Sequence, residues 1–126
     1  MAPEAGSDIV LVSSRIDPSE LERLLRLFFR DMVKFVVDVE RGVAAVGGEL
    51  HADAEARLLA LGSCQESLWG GNYFPARPAA NCIEFTSMIN IRPSQGNPAM
   101  EVQSPVVRAR MRELVHVLLG SGAGEA

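Results

Sequence analysis

A single short turn of the chain carries a high density of hydrogen-bond donors, contributed by Arg92, Ser94, Gln95 and Asn97. An arginine guanidinium presents a planar fork that matches carboxylate and phosphate groups, and the neighbouring hydroxyl and amide groups add further hydrogen bonds. The turn therefore predicts a site for a small anionic or amide-rich ligand, or for a protein partner of that chemistry. An ordinary hairpin loop explains it equally well, because serine, glycine and asparagine also serve turn geometry.

His51 marks a second candidate site, because Glu49 and Asp53 flank it in the sequence. An imidazole beside a carboxylate can act as a general acid or base, so these three residues are the candidates for catalysis. His116 is the only other histidine and no H-E-x-x-H spacing is present, so the sequence predicts no metal site. Capping and surface roles are the favoured explanation of the same residues.

Trp69 and Asn72 form a third candidate, since they bracket a glycine pair and Trp69 is the only tryptophan. An aromatic ring beside flexible glycines can make a stacking floor for a flat ligand. Anchoring of the hydrophobic core is the favoured explanation for the ring. We expect no cofactor, because no cofactor-binding motif is present.

The balance of charges argues against several classes of partner. The 126 residues include 12 Lys and Arg against 16 Asp and Glu, which gives a formal net charge of -4. Such a charge disfavours binding to nucleic acid or to an anionic membrane surface. Arg108, Arg110 and Arg112 spread around their helix and form no single stripe, which argues against helical readout of nucleic acid.

Targeting signals and cysteine spacing bear on the compartment. No apolar run approaches the roughly 20 residues of a membrane span, and the first residues lack the basic start and apolar stretch of a secretory signal. Cys64 and Cys82 have no metal-ligand spacing and predict neither a zinc site nor a disulfide. We therefore expect a cytoplasmic protein with reduced thiols.

Capping signals and hydrophobic periodicity predict three helices that would position these residues. Asp17, Pro18 and Glu20 supply a capping acceptor, a first-turn proline and a first-turn carboxylate, which predict a helix over residues 18–30. An alanine- and leucine-rich segment predicts a second helix over residues 51–62. Ser104 opens a third helix in the same manner, and that helix should end at Gly120.

Alternation of apolar and polar residues predicts the strands. A β-branched run at residues 9–12 adds an edge strand, and residues 33–39 and 43–46 form a hairpin with one face of the first strand in the core. Residues 68–75 predict a bent or bulged strand. Residues 83–91 predict the longest and clearest strand, followed by a short return strand over residues 100–103.

These elements predict an α+β fold in which a mostly antiparallel sheet of about four to five strands packs against about three helices. We expect a single domain over residues 9–120, with a disordered lead over residues 1–8 and a disordered tail over residues 121–126.

Two runs of the sequence are distinctive: Ser87-Met88-Ile89-Asn90-Ile91-Arg92-Pro93-Ser94-Gln95-Gly96-Asn97 and Gly47-Gly48-Glu49-Leu50-His51-Ala52-Asp53. The chain resembles in these runs a family of small bacterial proteins catalogued only as a domain of unknown function. The resemblance extends over about residues 9–119 and implies a free-standing single-domain protein. It implies no activity, substrate or cofactor.

Three functional hypotheses follow. The favoured one is a binding or regulatory module whose turn over residues 92–97 contacts the partner, so that Arg92→Ala should abolish binding. The second is a small hydrolase-type enzyme in which His51 acts with Asp53 or Glu49, which requires that the two turns meet in space. The third is a protein-interaction module that forms a homodimer by strand pairing at residues 9–12 or 100–103. The residues favour binding over catalysis.

Overall fold

β-Branched and small apolar residues fill the central strands of an antiparallel sheet. The computed structural model describes residues 8–123. Over that span the chain forms β1 (Ile9–Val12), α1 (Pro18–Leu27), β2 (Val33–Asp38), β3 (Val43–Gly47), α2 (His51–Ala60), β4 (Leu68–Tyr73), β5 (Ile83–Glu84) and α3 (Pro105–Leu118). The strands lie in the order β1-β3-β2-β4-β5, and each neighbouring pair is antiparallel. The predicted α+β fold, with its antiparallel sheet and three helices within the described span, is confirmed.

Helices cover both faces of this sheet. On one face, α1 and α3 contribute Leu24 and Met111 to a buried cluster that includes Phe35 of β2. On the other face, α2 places Leu58 in a second cluster with Val36 of the same strand. The prediction that only one face of β2 lies in the core is therefore wrong, because α2 covers the residues that alternate with Phe35.

The predicted capping signals start α1 and α3. Asp17 Oδ1 accepts a hydrogen bond from the backbone N–H two residues ahead at 2.9 Å, and Ser104 Oγ accepts one from the N–H three residues ahead at 3.2 Å. Helix α1 ends at Leu27, earlier than predicted. The reason is that Arg30 adopts a left-handed backbone conformation with φ 70° and donates its N–H to Leu25 O at 2.7 Å, which closes the helix.

The β2–β3 hairpin turns where the sequence predicts it. Gly42 has a φ of 71°, the conformation that favours glycine in such a loop. The carboxylate of Asp38 accepts hydrogen bonds from the N–H groups of Glu40 and Arg41 at 2.9 and 3.0 Å, and from Ser63 Oγ at 2.6 Å. These bonds explain how a carboxylate is buried at the end of β2.

The strand predicted over residues 83–91 is wrong beyond its first two residues. Strand β5 ends at Glu84, and Ser87 Oγ then accepts a hydrogen bond from Ile89 N at 3.2 Å, which starts a 3-10 turn over Met88–Asn90. Apolar residues still recur at every second position, because Phe85 enters one core and Ile89 packs against the other. The periodicity reflects burial on two sides, and beyond Glu84 the strand pairing of these residues is limited to a single bridge at Thr86.

Two further strand predictions are corrected. Residues 100–103 contribute only a single bridge, between Thr86 and Glu101. Strand β4 pairs residue for residue with β2 and carries no bulge. Its glycines are required by close packing instead, since a Cβ on Gly70 would lie 2.9 Å from Ser87 Cβ.

The two ends of the chain lie partly outside the described residues. Of the expected lead only Asp8 is described, and of the expected tail only residues 121–123. Gly122 donates its N–H to Tyr73 Oη at 3.0 Å, and Ala123 donates to Arg77 O at 2.8 Å.

Candidate functional site

The side chain of Arg92 points into the protein and contacts two other segments of the chain. Its guanidinium carbon lies 4.1 Å from the centroid of the Trp69 ring, which is a cation–π contact. Nη1 donates to Gln65 O at 2.6 Å, and Nη2 donates to Leu68 O. Nε is buried with no acceptor among the described residues. Burial lowers the pKa of Arg92, although a guanidinium stays protonated under ordinary conditions.

The amide groups of the same turn are also engaged. Gln95 Oε1 accepts from Arg92 Nη1 at 3.1 Å, and Gln95 Nε2 donates to Glu66 O at 3.1 Å. Asn97 is 3 % exposed, and its Oδ1 accepts from Gln103 N at 2.9 Å. Asn97 Nδ2 faces three backbone carbonyls at 2.9 to 3.1 Å. Of the four predicted residues, only Ser94 is exposed and makes no side-chain hydrogen bond within residues 8–123.

The side chains of Asn90 and Arg92 cover the outer edge of β4. Strand β5 pairs only with the last two residues of β4, so the earlier edge has no strand beside it in the described part of the chain. Asn90 covers part of that edge: its Oδ1 accepts from Gly70 N at 2.9 Å and its Nδ2 donates to Gly70 O at 3.0 Å. Arg92 covers Leu68 O in the same way. Asn90 and Arg92 therefore replace a strand with side-chain hydrogen bonds.

A groove of about 590 Å³ opens beside this turn. It brings Trp69 together with Gln95 and Asn97, which the sequence could propose only as separate candidates. Ser104, which caps α3, and Val107 of α3 also line this groove. We call this the Trp69 groove; its lining residues are Val39, Glu40, Glu66, Ser67, Trp69, Gln95, Gly96, Asn97, Gln103, Ser104 and Val107.

The unengaged polar groups of the Trp69 groove are mainly acceptors. Glu40 and Glu66 are exposed, and neither carboxylate forms a hydrogen bond or ion pair within residues 8–123. The side chains of Ser67 and Gln103 are likewise without hydrogen-bond partners in that span. No local pattern points to Glu40, Glu66 or Gln103 as neighbours, because each lies in a different connection between elements.

His51 lies on another part of the sheet. Its Nε2 donates to Gly71 O at 2.8 Å, which leaves Nδ1 as the unprotonated nitrogen of the neutral ring. Burial is the main cause that lowers the pKa of His51. Asp53 and Glu49 are exposed, and neither carboxylate has a hydrogen bond to the imidazole. The three predicted catalytic residues are thus not linked to one another, and His51 does not line the Trp69 groove.

Asn72 is separated from Trp69 because consecutive positions of a strand alternate between the two faces of a sheet. Asn72 pairs across the sheet with Lys34 and Glu84, and its Nδ2 lies 3.4 Å from Glu84 Oε1. Its Oδ1 is buried with no hydrogen-bond partner in the described residues. The structure therefore places Asn72 outside the Trp69 groove.

Nearly all of the described residues match a known protein family. The model of one family matches residues 10–118. The chain belongs to the family described as Protein of unknown function (DUF5674). No curated protein and no solved structure matches this DUF5674 chain.

Two kinds of feature are absent from residues 8–123 of this DUF5674 domain. No helix in that span is long and apolar enough to cross a membrane. The same span contains no group of three or more His, Cys, Asp or Glu side chains arranged to hold a metal ion.

Proposed function

We propose that this DUF5674 protein is a binding module whose Trp69 groove takes an amide-rich, positively charged ligand, such as a peptide segment with an arginine or lysine side chain. The observation that supports the proposal is which polar groups beside the Trp69 groove have no hydrogen-bond partner within the described residues. The amide and guanidinium donors of the turn over residues 92–97 are used within the protein, whereas Glu40 and Glu66 line the groove and their carboxylates have no hydrogen-bond or ion-pair partner within residues 8–123. An anionic ligand would meet two like charges there.

The remaining lining suits the backbone of a peptide. Ser67 and Gln103 offer a hydroxyl and a side-chain amide, which can donate to and accept from peptide groups. Val107 supplies an apolar surface beside Trp69, which is itself only 5 % exposed. In this arrangement Arg92 is a positioning residue, because it holds the Trp69 ring and fixes Gln95 without facing the ligand.

The strength of the interaction can be bounded from the chemistry. An ion pair between exposed groups contributes about 0.2–1 kcal/mol. Because each 1.4 kcal/mol corresponds to a factor of about ten in affinity, loss of one carboxylate should weaken binding by up to about fivefold.

Trp69 provides the assay, because it is the only tryptophan and lies in the groove. The emission of Trp69 would be followed during titration with acetyl-Gly-Arg-Gly-amide and, separately, with acetyl-Gly-Glu-Gly-amide. We expect a saturable change with the arginine peptide and none with the glutamate peptide. Glu66→Gln should weaken the binding by about two- to fivefold.

Glu49→Gln is the matched control, since Glu49 is an exposed carboxylate outside the groove. This variant should bind the arginine peptide like the wild-type protein. Preference for the glutamate peptide would overturn the proposal in favour of an anionic ligand. Equal loss of affinity in Glu66→Gln and Glu49→Gln would show a non-specific charge effect and would also overturn it.

We also propose a reducing compartment such as the cytoplasm for the protein. The support is that Cys64, which is exposed, and Cys82, which is buried, are both free thiols. Maleimide labelling of Cys64 in freshly lysed cells tests this, and a Cys64 that is already oxidised before lysis would contradict it.

A further inference from the structure

Two guanidinium groups of helix α3 converge on one aromatic ring. The guanidinium carbons of Arg108 and Arg112 lie 4.3 and 5.3 Å from the centroid of the Phe85 ring. The two arginines are four residues apart, so they lie on the same side of the helix. We propose that Arg108 and Arg112 form a binding site for a phosphate group, either free phosphate or the phosphate of a small monoester. Neither arginine lines the Trp69 groove, so the proposal is independent of that groove.

The positive charges of these two side chains are not neutralised within residues 8–123. Neither Arg108 nor Arg112 forms a salt bridge in that span, although the chain has more carboxylates than cations. Arg110 of the same helix, by contrast, donates to Glu113 Oε1 at 3.1 Å and to Val39 O at 3.0 Å. Like charges four residues apart on a helix destabilise it, so an anion that contacts both guanidinium groups would remove an unfavourable interaction.

Both side chains are held in place with most of their donors unused. Phe85 is 3 % exposed and belongs to the core on the α1/α3 side, so its ring is a fixed support for the guanidinium groups. Arg108 Nη1 donates to Val102 O at 3.0 Å, and the side chain of Arg112 donates no hydrogen bond within residues 8–123. Because a guanidinium has five N–H donors, the pair retains donors for a ligand. Binding therefore costs less side-chain entropy than binding by two unsupported arginines.

The charge of the pair selects a phosphate group over a carboxylate. A phosphate monoester carries about −1.5 to −2 charges at neutral pH and has three strong acceptor oxygens. It can therefore neutralise two guanidinium groups and accept hydrogen bonds from both planar forks. A carboxylate carries one charge and would leave one guanidinium without compensation. The site should prefer phosphate to a monovalent anion.

His116 provides a reporter for this site. It follows Arg112 by one helical turn, and its Nε2 is buried with no hydrogen-bond partner in the described residues. Burial lowers the pKa of His116, and the positive charge of Arg112 lowers that pKa further, so the guanidinium charge acts on this imidazole. His51, the only other histidine, belongs to α2 on the opposite face of the sheet and serves as the internal control.

Proton NMR of the two imidazole rings tests the proposal. The wild-type protein would be titrated at constant ionic strength and about pH 8, where phosphate is mainly dianionic. The titrants are sodium phosphate, glycerol 3-phosphate and sodium acetate. We expect saturable shifts of the His116 signals with both phosphate compounds, none with acetate, and no change at His51. Tighter binding of glycerol 3-phosphate would identify a monoester as the ligand, and equal or weaker binding would identify free phosphate.

Substitutions at the two arginines test the assignment of the site. Arg108→Gln and Arg112→Gln should each weaken phosphate binding by about two- to fivefold, and the double variant should abolish the saturable shift. Arg26→Gln is the matched control, because it removes the same charge from an exposed arginine that pairs with Glu22. This variant should bind phosphate like the wild-type protein.

Three results would overturn the proposal. The first is the absence of a saturable His116 shift with either phosphate compound. The second is an equal shift with acetate, since the pair would then not distinguish a dianion from a monoanion. The third is equal weakening by Arg112→Gln and Arg26→Gln, which would show a non-specific charge effect. If one glutamine variant fails to fold, the other single variant and the wild-type titrations still decide.

Discussion

The side chain of Asn90 provides the sharpest test of how the edge of β4 is completed. Asn90 is 0 % exposed. Its Oδ1 accepts from Gly70 N at 2.9 Å, and its Nδ2 donates to Gly70 O and Met100 O, both at 3.0 Å. Asn90→Ala removes all three hydrogen bonds.

The expected cost follows from the groups left without partners. A buried donor or acceptor that loses its partner costs about 1–3 kcal/mol. The N–H and the carbonyl of Gly70 are the two that belong to the sheet edge, so we expect Asn90→Ala to lower the free energy of unfolding by about 3 kcal/mol. Domains of this kind have a total stability of about 5–15 kcal/mol. The loss would therefore lower the melting temperature by roughly 10 °C.

Urea denaturation followed by Trp69 emission and by far-UV circular dichroism measures this cost. Asn81→Ala is the matched control, because Asn81 is exposed and only its backbone N–H is engaged, with Pro78 O at 2.8 Å. The control should change the free energy of unfolding by less than about 0.5 kcal/mol. If Asn90→Ala behaves like Asn81→Ala, the side chain does not complete the edge and the reasoning is refuted.

Two other expectations concern the β4 surface next to α2. Burial lowers the pKa of His51 from 6.5, so the folded state binds a proton less readily than the unfolded chain, and the free energy of unfolding should decrease as the pH falls below about 6.5. His51→Gln should reduce this decrease between about pH 7 and pH 5 in urea titrations, and an unchanged slope would contradict the assignment. Gly70→Ala should cost about 1–3 kcal/mol by overpacking, because its Cβ would lie 2.9 Å from Ser87 Cβ. Ser87→Gly should restore part of that stability in the double variant, as measured by thermal melting, and strict additivity of the two substitutions would show that the contact is not the cause.

The predictable part of the fold was the part specified by neighbours in sequence. The cap at Asp17 and the hairpin turn at Gly42 depend on groups within a few residues of each other, and the structure has both where the sequence places them. The failure over residues 83–91 has a definite cause. An apolar residue at every second position is the mark of a half-buried strand, but Phe85 and Ile89 produce the same mark by entering two different cores.

The candidate site also combines features that sequence neighbours specify with features that depend on distant segments. The residue types of the turn over residues 92–97 correctly indicate a concentration of hydrogen bonds. Their direction could not be known from the sequence, because the acceptors of Arg92 are the carbonyls of Gln65 and Leu68, far away along the chain. Asn90 was present in the same run as a polar residue among apolar neighbours, and that was the only signal of its role.

The sequence by itself determined the helix starts, the central hairpin, the antiparallel α+β class and the resemblance to a domain of unknown function. Each of these depends on local capping, turn chemistry or side-chain periodicity, which neighbouring residues specify. Only the tertiary structure decided that the donors of Arg92 and Gln95 face inward, that Glu40 and Glu66 line the same groove as Trp69, and that β1 lies at one end of the sheet. These features depend on which distant segments become neighbours, and hydrophobic burial of both sheet faces sets that arrangement.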